Sequence, residues 1–183
     1  SQLESFNARA YADCICQAAE AEGSDTVIVD SSTNGLYLAP ILAVKLKAGY
    51  ASNTVDLPDS YSPLVVKRKA FSSKGYNFSE ITSDVKLIGL AKNSFGLVEE
   101  EVSSTEHLFE VNLNEDDFKI QSVSIEKSTG QVSIADADIV VSGGRGLKGP
   151  ENWTMIEELA EVLGAATACS KPVSDLGWRP HSE

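Results

Sequence analysis

Ile139-Val140-Val141-Ser142-Gly143-Gly144-Arg145-Gly146-Leu147-Lys148-Gly149-Pro150 is the stretch whose reading decides the fold. Its first three residues form a tight apolar, β-branched run that predicts a short strand. A glycine-rich loop follows. Trp153, Ile156, Leu159, Ala160 and Leu163 then recur at three- and four-residue spacing, which predicts a helix that Gly164 stops. Ala165-Ala166-Thr167-Ala168-Cys169 supplies the next strand. Strand, loop, helix and strand in this order predict a βαβ unit.

A glycine loop between a strand and a helix presents backbone N–H groups and a helix N-terminus to an anion. Glycine is needed there because a Cβ would block the close approach of a pyrophosphate. Gly144-Arg145-Gly146-Leu147-Lys148-Gly149 satisfies G-x-G-x-x-G in that context. A standard dinucleotide site would end the second strand with an acid for the adenosine ribose, but Ser170-Lys171 stands in that place. The loop also carries Arg145 and Lys148, and no Lys-Ser or Lys-Thr follows its last glycine, so it is not a Walker A loop. The loop therefore reads as an anion site, with a tight βα turn bearing surface charges as the bland alternative.

Upstream, the texture changes at Ala135-Asp136-Ala137-Asp138, and the domain boundary is expected near Ala135, dividing the chain into 1–135 and 136–183. The first part opens on a helix, with Leu3, Phe6, Ala10, Cys14 and Ala18 on one face and Gly23 as its stop. Thr26-Val27-Ile28-Val29 is a continuous apolar run, which predicts a parallel strand buried on both faces. A second helix places Leu38, Ile41, Leu42 and Leu46 together, with Pro40 in its first turn and Gly49 at its end. A chain that opens on a helix feeding a parallel strand is expected to have lost that strand's neighbours from an N-terminal portion.

From Thr54 to Val98 the pattern is of strands: Leu64 to Arg68, Phe78 to Ile81, and Val85 to Leu90, read as two or three antiparallel strands added to the layered domain. Phe109 to Leu113 and Val123 to Glu126 read as two more, with Asn114-Glu115-Asp116-Asp117 between them as a solvent-exposed acidic loop. That loop lacks EF-hand spacing. The expected class is thus α/β: a three-layer Rossmann-like domain of nucleotide-binding type with extra antiparallel strands, then the first βαβ portion of a second Rossmann-like domain.

Composition bounds the function. The 183 residues are 42% hydrophobic and 23% charged, ordinary for a globular chain, and carry a formal charge of −12. Such a surface repels phosphate backbones and argues against a nucleic-acid partner. Lys67-Arg68-Lys69 reads as a solvated strand face. Cys14, Cys16 and Cys169 are odd in number and without metal-ligand spacing, which fits a reducing compartment. No apolar run approaches a membrane span and no signal sequence opens the chain, so the expectation is cytoplasmic, or mitochondrial matrix in a eukaryote. His107 and His181 have no acid or nucleophile at a recognisable spacing, and Trp153 and Trp178 read as packing anchors. No catalytic or metal-ligating residue is expected.

Val140 to Lys148, followed by Glu151-Asn152 and a helix, resembles the opening of the FAD domain in electron-transfer flavoprotein α-subunits. Ala168-Cys169-Ser170-Lys171-Pro172-Val173-Ser174-Asp175-Leu176-Gly177-Trp178 resembles that family's next block of small residues, Ser-Arg and Asp-x-Gly. Asn34 to Pro40 with Leu46 resembles the helix of its non-flavin domain. The resemblance implies FAD contacts at Arg145 and Ser170, with Gly144 and Gly146 in the same loop. At the following position the family commonly has an arginine that stabilises reduced, anionic flavin; Lys171 stands there, keeping the charge but not the planar fork.

The same resemblance implies an internal fragment. The N-terminal strand-helix-strand and most of the FAD domain would lie beyond this chain, which by itself is not expected to retain FAD. It further implies an electron carrier rather than an enzyme. Its partners would be a β-subunit, acyl-CoA and other flavin dehydrogenases, and a membrane quinone reductase. Two other readings stay open on the residues alone: an NAD-dependent oxidoreductase domain, from the glycine pattern, and a non-catalytic adenine-nucleotide-binding module.

Overall fold

The computed structural model describes residues 3–96, 98–120, 122–124, 134 and 137–181. The chain divides into two compact units, Ser1–Ile125 and Glu126–Glu183. The boundary expected at Ala135 falls outside the described residues.

In the first unit, helix α1 (Ala8–Glu22) starts where Asn7 caps it, its side-chain oxygen accepting from the Arg9 and Ala10 amides at 3.1 and 3.2 Å. It ends at Gly23, whose φ of 63° is the left-handed conformation that closes a helix. Ala10, Ala12, Cys16 and Ala19 are its buried residues, whereas Cys14 and Ala18 of the expected face are half-buried and Leu3 and Phe6 precede the helix. Small residues occur on all sides of this helix, so apolar spacing left its rotation open.

Strand β1 (Thr26–Asp30) leads to helix α2 (Thr33–Lys45), which is capped by the Ser32 hydroxyl bonding the Gly35 amide at 3.1 Å. Pro40 lies inside α2, not in its first turn as expected: the helix begins seven residues earlier, and proline there removes one backbone hydrogen bond. Strand β2 (Gly49–Thr54) was not legible, because Gly-Tyr-Ala-Ser-Asn-Thr carries neither an apolar run nor a clean alternation. Then come β3 (Ser60–Tyr61), β4 (Leu64–Ala70), β5 (Gly75–Ile81) and β6 (Lys86–Leu90).

The sheet order is β1-β6-β2-β4-β3, with β5 paired to β4. β6 runs parallel to both β1 and β2, so it is a central parallel strand rather than one of the added antiparallel ones. The antiparallel addition is β3, β4 and β5. Leu38, Ala39 and Leu42 of α2 and Ala12 and Cys16 of α1 close over Leu87, with Val27, Val29 and Tyr50 beside them. On the opposite face Ala51, Leu64, Val66, Ile81 and Ile88 form a second cluster that carries no helix among the described residues. Strand β1 is therefore not buried on both faces: Val27 and Val29 face the helices, and Ile28 on the other side is 64% exposed.

Residues 109–113 form no strand. Instead Gln17 on α1 holds Asn112 by two bonds, its amide nitrogen giving to the Asn112 carbonyl (2.8 Å) and its oxygen taking the Asn112 amide (3.0 Å). The acidic loop is a 3-10 turn (Glu115–Phe118): Asn114, Glu115 and Asp116 are exposed as expected, whereas Asp117 is buried. The second strand expected here falls partly outside the described residues.

The second unit is the βαβ element anticipated from the glycine loop. Strand β7 (Val140–Gly143) and strand β8 (Ala166–Cys169) pair in parallel, joined through helix α3 (Thr154–Leu163), and the short helix α4 (Lys171–Asp175) follows. Gly164, at φ 60°, ends α3. Trp153 is 2% exposed, as befits an anchor. No helix among the described residues is long and apolar enough to cross a membrane.

Candidate functional site

Parallel pairing sets Gly143 opposite Cys169, so the segments leaving β7 and β8 emerge side by side at the carboxyl ends of the two strands. In open α/β sheets, ligands collect in that crevice. The Ser170 amide bonds the Gly143 carbonyl at 3.0 Å and ties the two exits together. Gly144 and Ser170 face each other: a Cβ on Gly144 would lie 3.8 Å from the Ser170 hydroxyl. Ser170 precedes α4 but makes no capping bond through its side chain.

The loop is built of two 3-10 turns rather than leading directly into α3. Arg145–Leu147 form the first and Pro150–Asn152 the second. The Leu147 and Lys148 amides are committed to the Gly144 and Arg145 carbonyls, and the Asn152 and Trp153 amides to those of Gly149 and Pro150. The amides of Arg145 and Gly146, at the start of the first turn, have no carbonyl partner within it. The amides without a partner in these turns are thus in the loop, and the N-terminus of α3 lies a further turn away. A Cβ on Gly146 would meet nothing within 4 Å, so this side of the loop is open.

Gly143 has the opposite constraint. A Cβ there would lie 2.6 and 2.7 Å from the Cη2 and Cζ3 atoms of Trp153 and 2.9 Å from a Leu147 methyl. The indole occupies the space a side chain would need. Lys148 takes a left-handed conformation at φ 68°, and its amide returns to the Arg145 carbonyl. Asn152 donates its side-chain amide to the Leu147 carbonyl at 2.7 Å.

Gly144, Arg145, Gly146, Ser170 and Lys171 all stand at these two strand exits. Arg145, Lys148 and Lys171 are exposed cations on a chain of charge −12, and Lys171 pairs with Asp175 at 3.0 Å. No acid ends β8, and the residues there are Ser170 and Lys171. Sequence reading missed two features of the site: the Asn152 bond and the indole packed against Gly143. An Asn-Trp pair at the start of a helix announces neither.

Residues 133–183 match the family described as "Electron transfer flavoprotein FAD-binding domain", and residues 1–116 match "Electron transfer flavoprotein domain". The electron transfer flavoprotein subunit alpha of Megasphaera elsdenii is 32% identical over 97% of this chain and 55% of its own length. That of Bacillus subtilis is 29% identical over 97% of this chain and 55% of its length. Protein FixB of Clostridium saccharobutylicum is 28% identical over 96% and 54% respectively. The chain spans about half the length of the curated relatives it matches. With matched segments in both compact units, the chain belongs to the electron transfer flavoprotein α-subunit family.

Proposed function

We propose that the protein containing this chain is an electron carrier that holds FAD at the carboxyl ends of β7 and β8. The observation that carries the reading is that Gly144-Arg145 and Ser170-Lys171 leave two paired parallel strands side by side, with Gly144 and Gly146 leaving the backbone approachable. The residues fit an anionic, pyrophosphate-bearing cofactor. Arg145 and Lys171 supply positive charge, the loop amides of Arg145 and Gly146 supply donors, and the Ser170 hydroxyl is not engaged in capping. Bound FAD would supply the one- and two-electron chemistry.

In this reading Arg145 binds and orients the cofactor as a planar, multi-donor cation. Gly144 and Gly146 keep side chains out of the cofactor's path. Lys171 contributes a point charge that favours extra electron density nearby and so raises the cofactor's reduction potential. The carrier works in the cytoplasm, or in the matrix of a mitochondrion, with a β-subunit. It receives electrons from acyl-CoA and other flavin dehydrogenases and delivers them to a membrane quinone reductase.

The test is to purify the complete gene product together with its β-subunit and titrate FAD, NAD and AMP. Stoichiometric FAD with a flavin absorbance band is expected. Preference for NAD, or a preparation that never takes up flavin, would overturn the reading. The 183-residue chain alone, which spans about half the length of its relatives, is expected to take up no stoichiometric flavin.

A further inference from the structure

Resting on the reading that the glycine loop holds FAD, we propose that Asn152 is a positioning residue that sets the loop before the cofactor arrives. The loop is costly to order. Gly144, Gly146 and Gly149 leave much backbone freedom to lose, and Lys148 sits in a left-handed conformation that a side chain disfavours. Something outside the loop must hold it. The Asn152 side-chain amide does so by donating to the Leu147 carbonyl at 2.7 Å. Because a carbonyl can only accept, the amide must present its nitrogen there, which fixes its orientation.

That bond grips the last residue of the turn whose first residue is Arg145. The neighbouring residue grips the loop independently: the Trp153 ring and the Leu147 methyl fill the space beside Gly143. Two consecutive residues ahead of α3 therefore anchor both ends of Gly143 to Leu147, and neither needs to touch the cofactor. Between the anchors Gly146 stays open, so the clamp leaves its backbone approachable. Pre-ordering of this kind raises affinity by removing the ordering cost from the binding step.

Asn152→Asp tests this, because it keeps the shape but replaces the donor with an acceptor facing the Leu147 carbonyl. In the complete gene product with its β-subunit, FAD is expected to bind about threefold to tenfold more weakly. Asn152→His is the rescue. The imidazole Nδ1 stands at the same distance from the backbone and carries a hydrogen in one neutral tautomer as well as in the cation, so it can donate to the Leu147 carbonyl at pH 6 and at pH 8 alike. Asn152→His should therefore bind FAD more tightly than Asn152→Asp at both values.

Amide hydrogen exchange of residues 147–149, measured without flavin, supplies a readout independent of the cofactor, and Asn152→Asp should accelerate it. Wild-type affinity in Asn152→Asp, or an Asn152→His that binds FAD as weakly as Asn152→Asp at pH 8, overturns the positioning role. Wild type that binds no FAD while the exchange difference persists would instead sink the functional reading and leave the loop clamp standing.

Discussion

Lys171 Nζ lies 3.0 and 3.3 Å from the two carboxylate oxygens of Asp175, one helical turn further on. The cation at the exit of β8 is therefore already partnered, at the surface. Pairs of this spacing contribute about 0.3–0.5 kcal/mol, so the carboxylate matters more for the field it cancels than for stability. Asp175→Asn should leave the thermal midpoint nearly unchanged. In the flavin-loaded complex it should raise the reduction potential, measured by spectroelectrochemical titration. A potential that falls or stays fixed would show that Lys171 does not act on the cofactor.

Gly143 has no room for a methyl group beside Trp153. Gly143→Ala should destabilise the second unit by about 1–3 kcal/mol through overpacking, read as a lower denaturation midpoint. Trp153→Phe shrinks the obstructing ring, so the double variant should be less unstable than the two single losses added together. Simple additivity would mean that the two side chains do not compete for the same space.

Asp117 is the buried acid of the first unit. The Asn114 amide, 2.9 Å from its carboxylate, holds its pKa below the usual carboxylate range, and the Lys45 and Arg9 charges act in the same direction against the opposing effect of burial. A carboxylate whose folded pKa is depressed stabilises the fold above its unfolded pKa of about 3.9, and that stabilisation is lost as pH falls through the lower folded value. Wild type should therefore show an acid limb in its stability profile below about pH 4. Asp117→Ala should lose about 1–3 kcal/mol at neutral pH and flatten that limb.

Burial pushes the Cys16 thiol up from its ordinary range, and the Cys14 thiol is raised for the same first reason. Thiolate is the reactive form, so both should alkylate slowly at neutral pH. Cys16, only 8% exposed, should label later than Cys14 and become fast only in denaturant. Mass spectrometry of iodoacetamide-treated peptides reads the order, and early labelling of Cys16 would contradict its burial.

The second unit was almost fully legible in the sequence. An apolar strand, a glycine loop and a helical stripe ending at Gly164 are all local signals, and each element stands within a residue or two of its expected place. The glycine pattern marked the loop from Gly144, whereas Arg145, Ser170 and Lys171 were singled out by the family resemblance, and the parallel pairing of β7 and β8 sets both segments at neighbouring exits. The first unit was harder. β2 is specified by its neighbours β6 and β4 rather than by Gly-Tyr-Ala-Ser-Asn-Thr, and β6 reads the same whether its partners are parallel or antiparallel. Ile28 looked like a residue buried on both faces because an apolar run does not say which layer is present. Long-range side-chain bonds, such as Asn7 to the Ile120 carbonyl at 2.8 Å, leave no pattern in the chain at all.

The two bonds between Gln17 and Asn112 have a consequence for how the molecule can be cut. Judged by regular structure alone, the first unit would seem to end at Leu90, and residues 91–111 would pass for dispensable linker. The glutamine amide, however, serves Asn112 as a neighbouring strand would, and Asn7 does similar service for Ile120. An expression boundary or a domain exchange placed near residue 95 would strip α1 of those partners and of the Asp117 turn. One placed after residue 124 would keep helix and strap as a single transferable piece.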